Sequence, residues 1–243
     1  MTETTPSPSP SVTLFGHWSC PYSTRVSFAL GHRGIAHDLI EVPPTKMRPD
    51  GFVPPVEFTE HSPLGEIPMV EVDGTYRADS LPIIEWLDDC LDGAPLVPSD
   101  PQARAMALER ARFVDEVVFS AMIGIYYGTD EERIASSSRA LAHATEQLGS
   151  WLRATHWLAG PAVTIADAAL VPLWVRLELL EEVGLTDRLD PLALEHRQRC
   201  EELGAWASIE WTDGERHKLL DRILAARAHG EERRGGPVQA IRS

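Results

Sequence analysis

The sequence predicts an α/β domain built on a mixed four-stranded sheet, followed by an all-helical bundle domain. Three observations carry this expectation. A β-rich run, a loop, a helical run and a second β-rich run succeed one another between Val12 and Val42, a βαβ unit whose strands should be parallel. Asp73-Gly74 stands between two further β-rich runs, the strongest short-range signal for an antiparallel hairpin. Beyond the proline-dense stretch Gly93 to Pro101, every segment carries apolar residues at helical spacing.

The elements follow in order. Met1 to Pro10 (MTETTPSPSP) is expected to be a disordered tail, because Pro-Ser repeats bury nothing that offsets the entropy of ordering them. The first domain then spans residues 11–92. Val12 to Phe15 reads as a strand, Gly16 to Pro21 as a turn, and Tyr22 to Leu30 as a helix with Val26, Ala29 and Leu30 on one side. Ala36 to Val42 is the second strand. Pro43 to Ser62 is proline-rich and without period, so it is expected to be a long loop with at most a short irregular helix. Ile67 to Val72 and Thr75 to Arg77 are the hairpin strands, and Ser80 to Leu91 a helix with Leu81, Ile84, Leu87 and Leu91 on one face. The order β-α-β, loop, β-β-α is that of a thioredoxin-like domain.

Residues 93–101 read as a linker, and residues 102–229 as the helical domain. Gln102 to Tyr127 and Glu131 to Arg153 are two long helices. Thr164 to Glu181 begins with Thr-x-x-Asp, a capping-box signature, and its broad apolar faces make it the expected central helix. Pro191 to Leu203 and Thr212 to Ala228 supply two more, and residues 230–243 read as a frayed polar tail.

Composition narrows the function. The 243 residues carry 22 Lys plus Arg against 37 Asp plus Glu, a net charge of −15 that would repel phosphate backbones and anionic lipid headgroups. Nucleic acid and membranes are therefore poor partners. No apolar run is long enough to span a bilayer, and Met1 to Pro10 lacks the basic and apolar regions of a signal peptide. The three cysteines are an odd number without paired spacing, which points to reduced thiols, no zinc or other metal site, and a cytoplasmic location.

Cys20 is the candidate nucleophile. It follows a strand and a loop and precedes Pro21, a residue favoured at the first helical position because its missing N–H costs nothing there. The unpaired amides and dipole of such a terminus stabilise a thiolate. Position 23 is Ser, so Cys-Pro-Tyr-Ser lacks the resolving thiol of a dithiol oxidoreductase, and a disulfide at Cys20 must be released by an external thiol. Ile67-Pro68 opens a strand, where proline is tolerated, with trans the ordinary form and cis turning the Ile67 backbone toward the Cys20 helix end. Asp79-Ser80 opens a helix, as an N-cap, a ligand site for carboxylate and ammonium groups, or both.

Four runs in this order resemble the cytosolic glutathione transferase superfamily: Cys20-Pro21-Tyr22-Ser23-Thr24-Arg25-Val26, Ser62-Pro63-Leu64-Gly65-Glu66-Ile67-Pro68-Met69-Val70, Asp79-Ser80 ahead of Leu81 to Leu87, and Thr164-Ile165-Ala166-Asp167. The resemblance covers roughly Val12 to Leu180, and the Cys-Pro-aromatic opening is similar to the cysteine-type classes such as omega, lambda and dehydroascorbate reductase. It implies that Cys20 forms a mixed disulfide with glutathione, or with another low-molecular-weight thiol in that role, and that Tyr22 is not a catalytic tyrosine. It further implies that the Ile67 backbone pairs with the cysteinyl part of glutathione, that Pro68 is cis, that Asp79 and Ser80 hold the γ-glutamyl end, and that Thr164 with Asp167 serves folding. The family more often has Glu or Gln where Asp79 stands, and the Pro43 to Glu60 loop is longer than usual. Lys46, ahead of Arg48 and His61, is the residue expected to meet the glycyl carboxylate. A small electrophile is expected between Trp18 and the long helices, near Tyr22, Arg110, Val117, Met122, Tyr126 and Tyr127. The resemblance implies a homodimer and thiol-transferase chemistry, with cis-trans isomerisation, conjugation or a noncatalytic binding module as alternatives.

Overall fold

In the computed structural model, four strands form one mixed sheet in the order β2-β1-β3-β4. The structure describes residues 10–128 and 130–235, with side chains as far as residue 228; the expected N-terminal tail up to residue 9 and the last eight residues lie outside this range. Strand β1 (Val12–Gly16) is parallel to β2 (Asp38–Glu41) and antiparallel to β3 (Met69–Val72), which pairs antiparallel with β4 (Thr75–Ala78). The parallel pair needs a crossover, and α1 (Pro21–His32) supplies it. The hairpin needs none, because Asp73 and Gly74 both take positive φ, 48° and 82°, the geometry of a tight two-residue turn that follows strand twist.

Alternation along the strands sends side chains to two faces. Leu14, Val70 and Val72 pack with Val26 and Leu30 of α1 and with Ile83 and Leu87 of α3 (Ser80–Cys90). Phe15 and Met69 point the other way, onto Phe58 of α2 (Val56–His61). The proline-rich stretch expected to be mostly loop thus holds one six-residue helix and a single 3₁₀ turn at Thr45–Met47.

The helical region comprises α4 (Pro101–Phe113), α5 (Phe119–Tyr127), α6 (Glu131–Leu152), α7 (Ile165–Val175), α8 (Leu177–Val183), α9 (Pro191–Glu201) and α10 (Asp213–Gly235). Three of these differ from expectation. The helix expected over 102–127 contains a π-helical segment at Val114–Val118, so α4 and α5 are joined through one wide turn. The helix expected over 164–181 breaks at Arg176, four residues after Pro172. Residues 230–235, expected to fray, continue α10.

The proline-dense connection is not a free tether. Leu96 and Val97 are buried in the helical core, the carboxylate of Asp88 accepts from both their amides at 2.9 and 2.6 Å, and Leu96 O accepts from Ile165 N at 2.7 Å. Helix α1 joins the two layers: Val26 and Leu30 face the sheet, while Phe28 and Ala29 face the helices.

Candidate active site: the cleft at the start of the first helix

Cys20 is the N-cap residue of α1, with extended φ/ψ of −83° and 119°, and Pro21 occupies the first helical turn. No side chain caps this helix. The turn before it is fixed by Cys20 N donating to His17 O at 3.0 Å and by a contact of 2.8 Å between His17 Nδ1 and Ser19 Oγ. Burial lowers the His17 pKa, with Glu41 opposing it. Cys20 itself is largely covered, yet it lines a cleft of about 230 Å³.

Lys46, Glu66 and Ile67 stand on the sheet-domain side of that cleft, and Tyr22, Met122, Tyr126 and Tyr127 on its other walls. The Ile67-Pro68 peptide is cis, and Ile67, ahead of β3, lines the cleft together with Cys20. Lys46 sits in the 3₁₀ turn. Arg48 is committed elsewhere, donating to Pro43 O at 3.1 Å and Gly65 O at 2.6 Å, and His61 stacks on Tyr76 with ring centroids 3.8 Å apart. The cation on the cleft wall is therefore Lys46.

Asp79 and Ser80 lie beyond the walls of this cleft, at the start of α3. Asp79 is exposed, makes no capping bond, and holds φ 74° and ψ 130°, a backbone conformation that costs a residue with a Cβ about 1–3 kcal/mol. Ser80 is buried, and its hydroxyl accepts from Arg25 Nη1 at 3.3 Å. Arg25, fully buried, donates from Nε to Ala169 O at 3.1 Å and pairs with Asp115, so this cation ties three elements together beneath the site.

Three residues expected on the substrate side are elsewhere. Trp18 packs edge-on against Trp211, whose Nε1 donates to Trp18 O at 3.3 Å, and it lines a separate recess. Arg110 donates to Leu158 O and lies over the Trp151 ring at 4.7 Å, on the far side of α4. Val117 falls in the π segment and is 39% exposed. Arg110 stands twelve residues before Met122, roughly 18 Å along the helix axis, so the two do not share one pocket.

The sequence reading gave the last helix, expected over Thr212 to Ala228, no part in the site; it closes the cleft with Leu219 and Ile223 and is fastened by Arg222 to Lys46 O at 3.2 Å and by Arg227 to Tyr126 O at 3.4 Å. The same reading missed Arg176 behind Cys20. Both are tertiary contacts with no local signature. The Tyr126 hydroxyl is buried without a hydrogen-bond partner among the described residues, and burial raises its pKa far above the ordinary phenol value.

Residues 19–90 match the family model for the glutathione S-transferase N-terminal domain, a segment that holds Cys20, Lys46, Ile67, Pro68, Asp79 and Ser80. Over that segment the chain is similar to the glutathione transferase superfamily. Among curated relatives in that superfamily, it is 28% identical to glutathione S-transferase U7 of Arabidopsis thaliana over 174 residues, 69% of this chain and 71% of the relative. It is 28% identical to glutathione S-transferase omega-2 of Mus musculus over 186 residues, 75% of this chain and 71% of that one. The crystal structure of glutathione transferase Omega 3C from Trametes versicolor superposes with a TM-score of 0.75 at 20% identity, covering 92% of this chain and 94% of that chain, which establishes the shared fold. Among the described residues no helix is long and apolar enough to cross a membrane, and no group of three or more His, Cys, Asp and Glu side chains is arranged to hold a metal ion.

Proposed function

We propose that this chain is a glutathione-dependent transferase that acts on small electrophiles through a mixed disulfide at Cys20. The observation that carries the reading is the uncapped start of α1, where a cysteine stands in the N-cap position, faces a cleft, and shares that cleft with Ile67 next to a cis proline. The Cys20 thiolate attacks the glutathionyl sulfur of a mixed disulfide; that S–S bond breaks, and the departing thiolate takes up a proton. A second glutathione, as thiolate, attacks the glutathionyl sulfur now held on Cys20 and leaves as glutathione disulfide, which returns the Cys20 thiolate. With Ser at position 23, the second thiol comes from solution.

In this reading the Ile67 backbone pairs with the cysteinyl part of glutathione, Lys46 meets the glycyl carboxylate, and Asp79 with Ser80 meets the γ-glutamyl end. Tyr22, Met122, Tyr126 and Tyr127 form a mostly apolar seat for the electrophile. The chain works as a cytoplasmic homodimer joined through α3 and the first long helices, which sedimentation at micromolar concentration tests. Exposure of the reduced protein to glutathione disulfide, followed by intact mass and peptide mapping, should place one glutathione on Cys20. Equal occupancy of Cys90 or Cys200 would overturn the assignment.

A further inference from the structure

Arg176 sits at the break between α7 and α8 and is fully buried. Its Nη2 donates to Ser19 O at 3.1 Å and lies 3.4 Å from Thr24 Oγ1; Nη1 donates to Pro172 O at 3.0 Å. Thr24 Oγ1 in turn donates to Cys20 O at 3.0 Å. One guanidinium from the helical region therefore touches the chain on both sides of Cys20. Its plane is held by the Trp211 ring, whose centroid is 4.6 Å away.

Every one of those hydrogen-bond partners is a neutral oxygen. Among the described residues no carboxylate lies within ion-pair distance of Arg176, whereas the other buried arginines of the sheet domain, Arg25 and Arg33, are paired with Asp115 and Asp88. A buried cation without a counter-ion is costly. Burial lowers the Arg176 pKa, and the groups whose ionised forms oppose that shift are Tyr126, Cys20 and Tyr127, with Arg25 the neighbouring like charge. Of these three acids a thiol ionises first, at about 8.5 in free peptides against about 10 for a phenol.

We infer that Arg176 is the positioning residue of Cys20, holding the turn that presents the thiol and supplying the positive charge that the thiolate pairs with. The inference rests on the reading that Cys20 is the reacting thiol. The remaining charged or titratable groups around the thiol are Tyr22, Lys46 and Glu66 on the cleft wall and His17 in the turn itself, and none of them is a buried cation bonded to the Cys20 turn.

The test is the pH profile of Cys20 alkylation by iodoacetamide in the full chain, followed by peptide mapping, for the wild type, Arg176→Met and Arg176→Lys. Removing an opposite charge at this range should move the midpoint up by about one pH unit or more, slowing labelling below it about tenfold. Arg176→Lys keeps the charge and should restore most of the midpoint. A purely structural arginine would change thermal stability and leave the midpoint where it was. That result, with Cys20 still reactive, overturns the inference and spares the proposed function, whereas an unreactive Cys20 in the wild type removes the proposed function itself. If Arg176→Met does not fold, the pair is read from the thiol. A thiolate paired with Arg176 in the folded state stabilises it above the unfolded thiol pKa, so the stability advantage of wild type over Cys20→Ser should grow as pH rises toward that value, about 8.5. A difference that does not vary with pH would count against the charge pair.

Discussion

Helices α1 and α7 pack against one another, yet their first turns are built in opposite ways. At α7, Thr164 and Asp167 close a capping box, and the fully buried Asp167 carboxylate accepts from Thr164 N at 2.8 Å, Thr164 Oγ1 at 2.9 Å, Leu158 N at 2.8 Å and His196 Nε2 at 2.8 Å. His196 Nε2 carries the proton because its Nδ1 accepts from Trp174 Nε1, which can only donate. At α1 the N-cap is a thiol with no capping bond, and at α3 it is a strained aspartate with no capping bond. The contrast teaches where each kind of helix start is used. A terminus satisfied from within is a rivet, and a terminus left open beside a cleft is free to receive a ligand.

Four substitutions sharpen or break that contrast. Cys20→Ser should abolish mixed-disulfide turnover, checked by steady-state assay, while thermal unfolding in acid, where no thiolate pair contributes, moves by less than about 1 kcal/mol. Retained turnover would instead favour conjugation or thiol-assisted cis-trans isomerisation. Asp167→Ala should do the reverse, orphaning several buried donors at about 1–3 kcal/mol each, so urea unfolding should show a loss of about 4 kcal/mol or more. A smaller loss would mean that water replaces the carboxylate. Asp79→Ala should raise the KM for glutathione about ten- to a hundredfold, the loss of one charge-assisted contact worth about 1.5–3 kcal/mol, with Cys20 still open to alkylation. An unchanged KM would move the γ-glutamyl site away from α3. Thr164→Ala should cost about 1 kcal/mol in the same urea experiment, since the Asp167 bonds to Leu158 and His196 remain.

Legibility in the sequence followed the range of the interactions. The hairpin and the capping box rest on neighbours within a few positions, as Asp73-Gly74 and Thr164-x-x-Asp167 show, and these signals survive in the sequence. Cys20 was readable for the same reason, because Pro21 marks the helix start. Trp18 and Arg110 were misplaced because their side chains are directed by Trp211 and Leu158, 193 and 48 residues away, which no local pattern names. No local pattern marks Arg25 and Arg176 as buried, and only their carbonyl and carboxylate partners from distant elements make their burial tolerable.

The wide turn at Val114–Val118 also bears on which length changes this chain tolerates. A π turn is a helix carrying one surplus residue, so removing one residue there lets the turn relax to ordinary α geometry while the flanking helices keep their facing. The same deletion after Phe119 has no surplus to draw on. It would swing the downstream side chains by about 100° and carry Tyr126 away from the thiol. Along this pair of helices, then, the slack lies in five residues, and the stretch that lines the cleft has none.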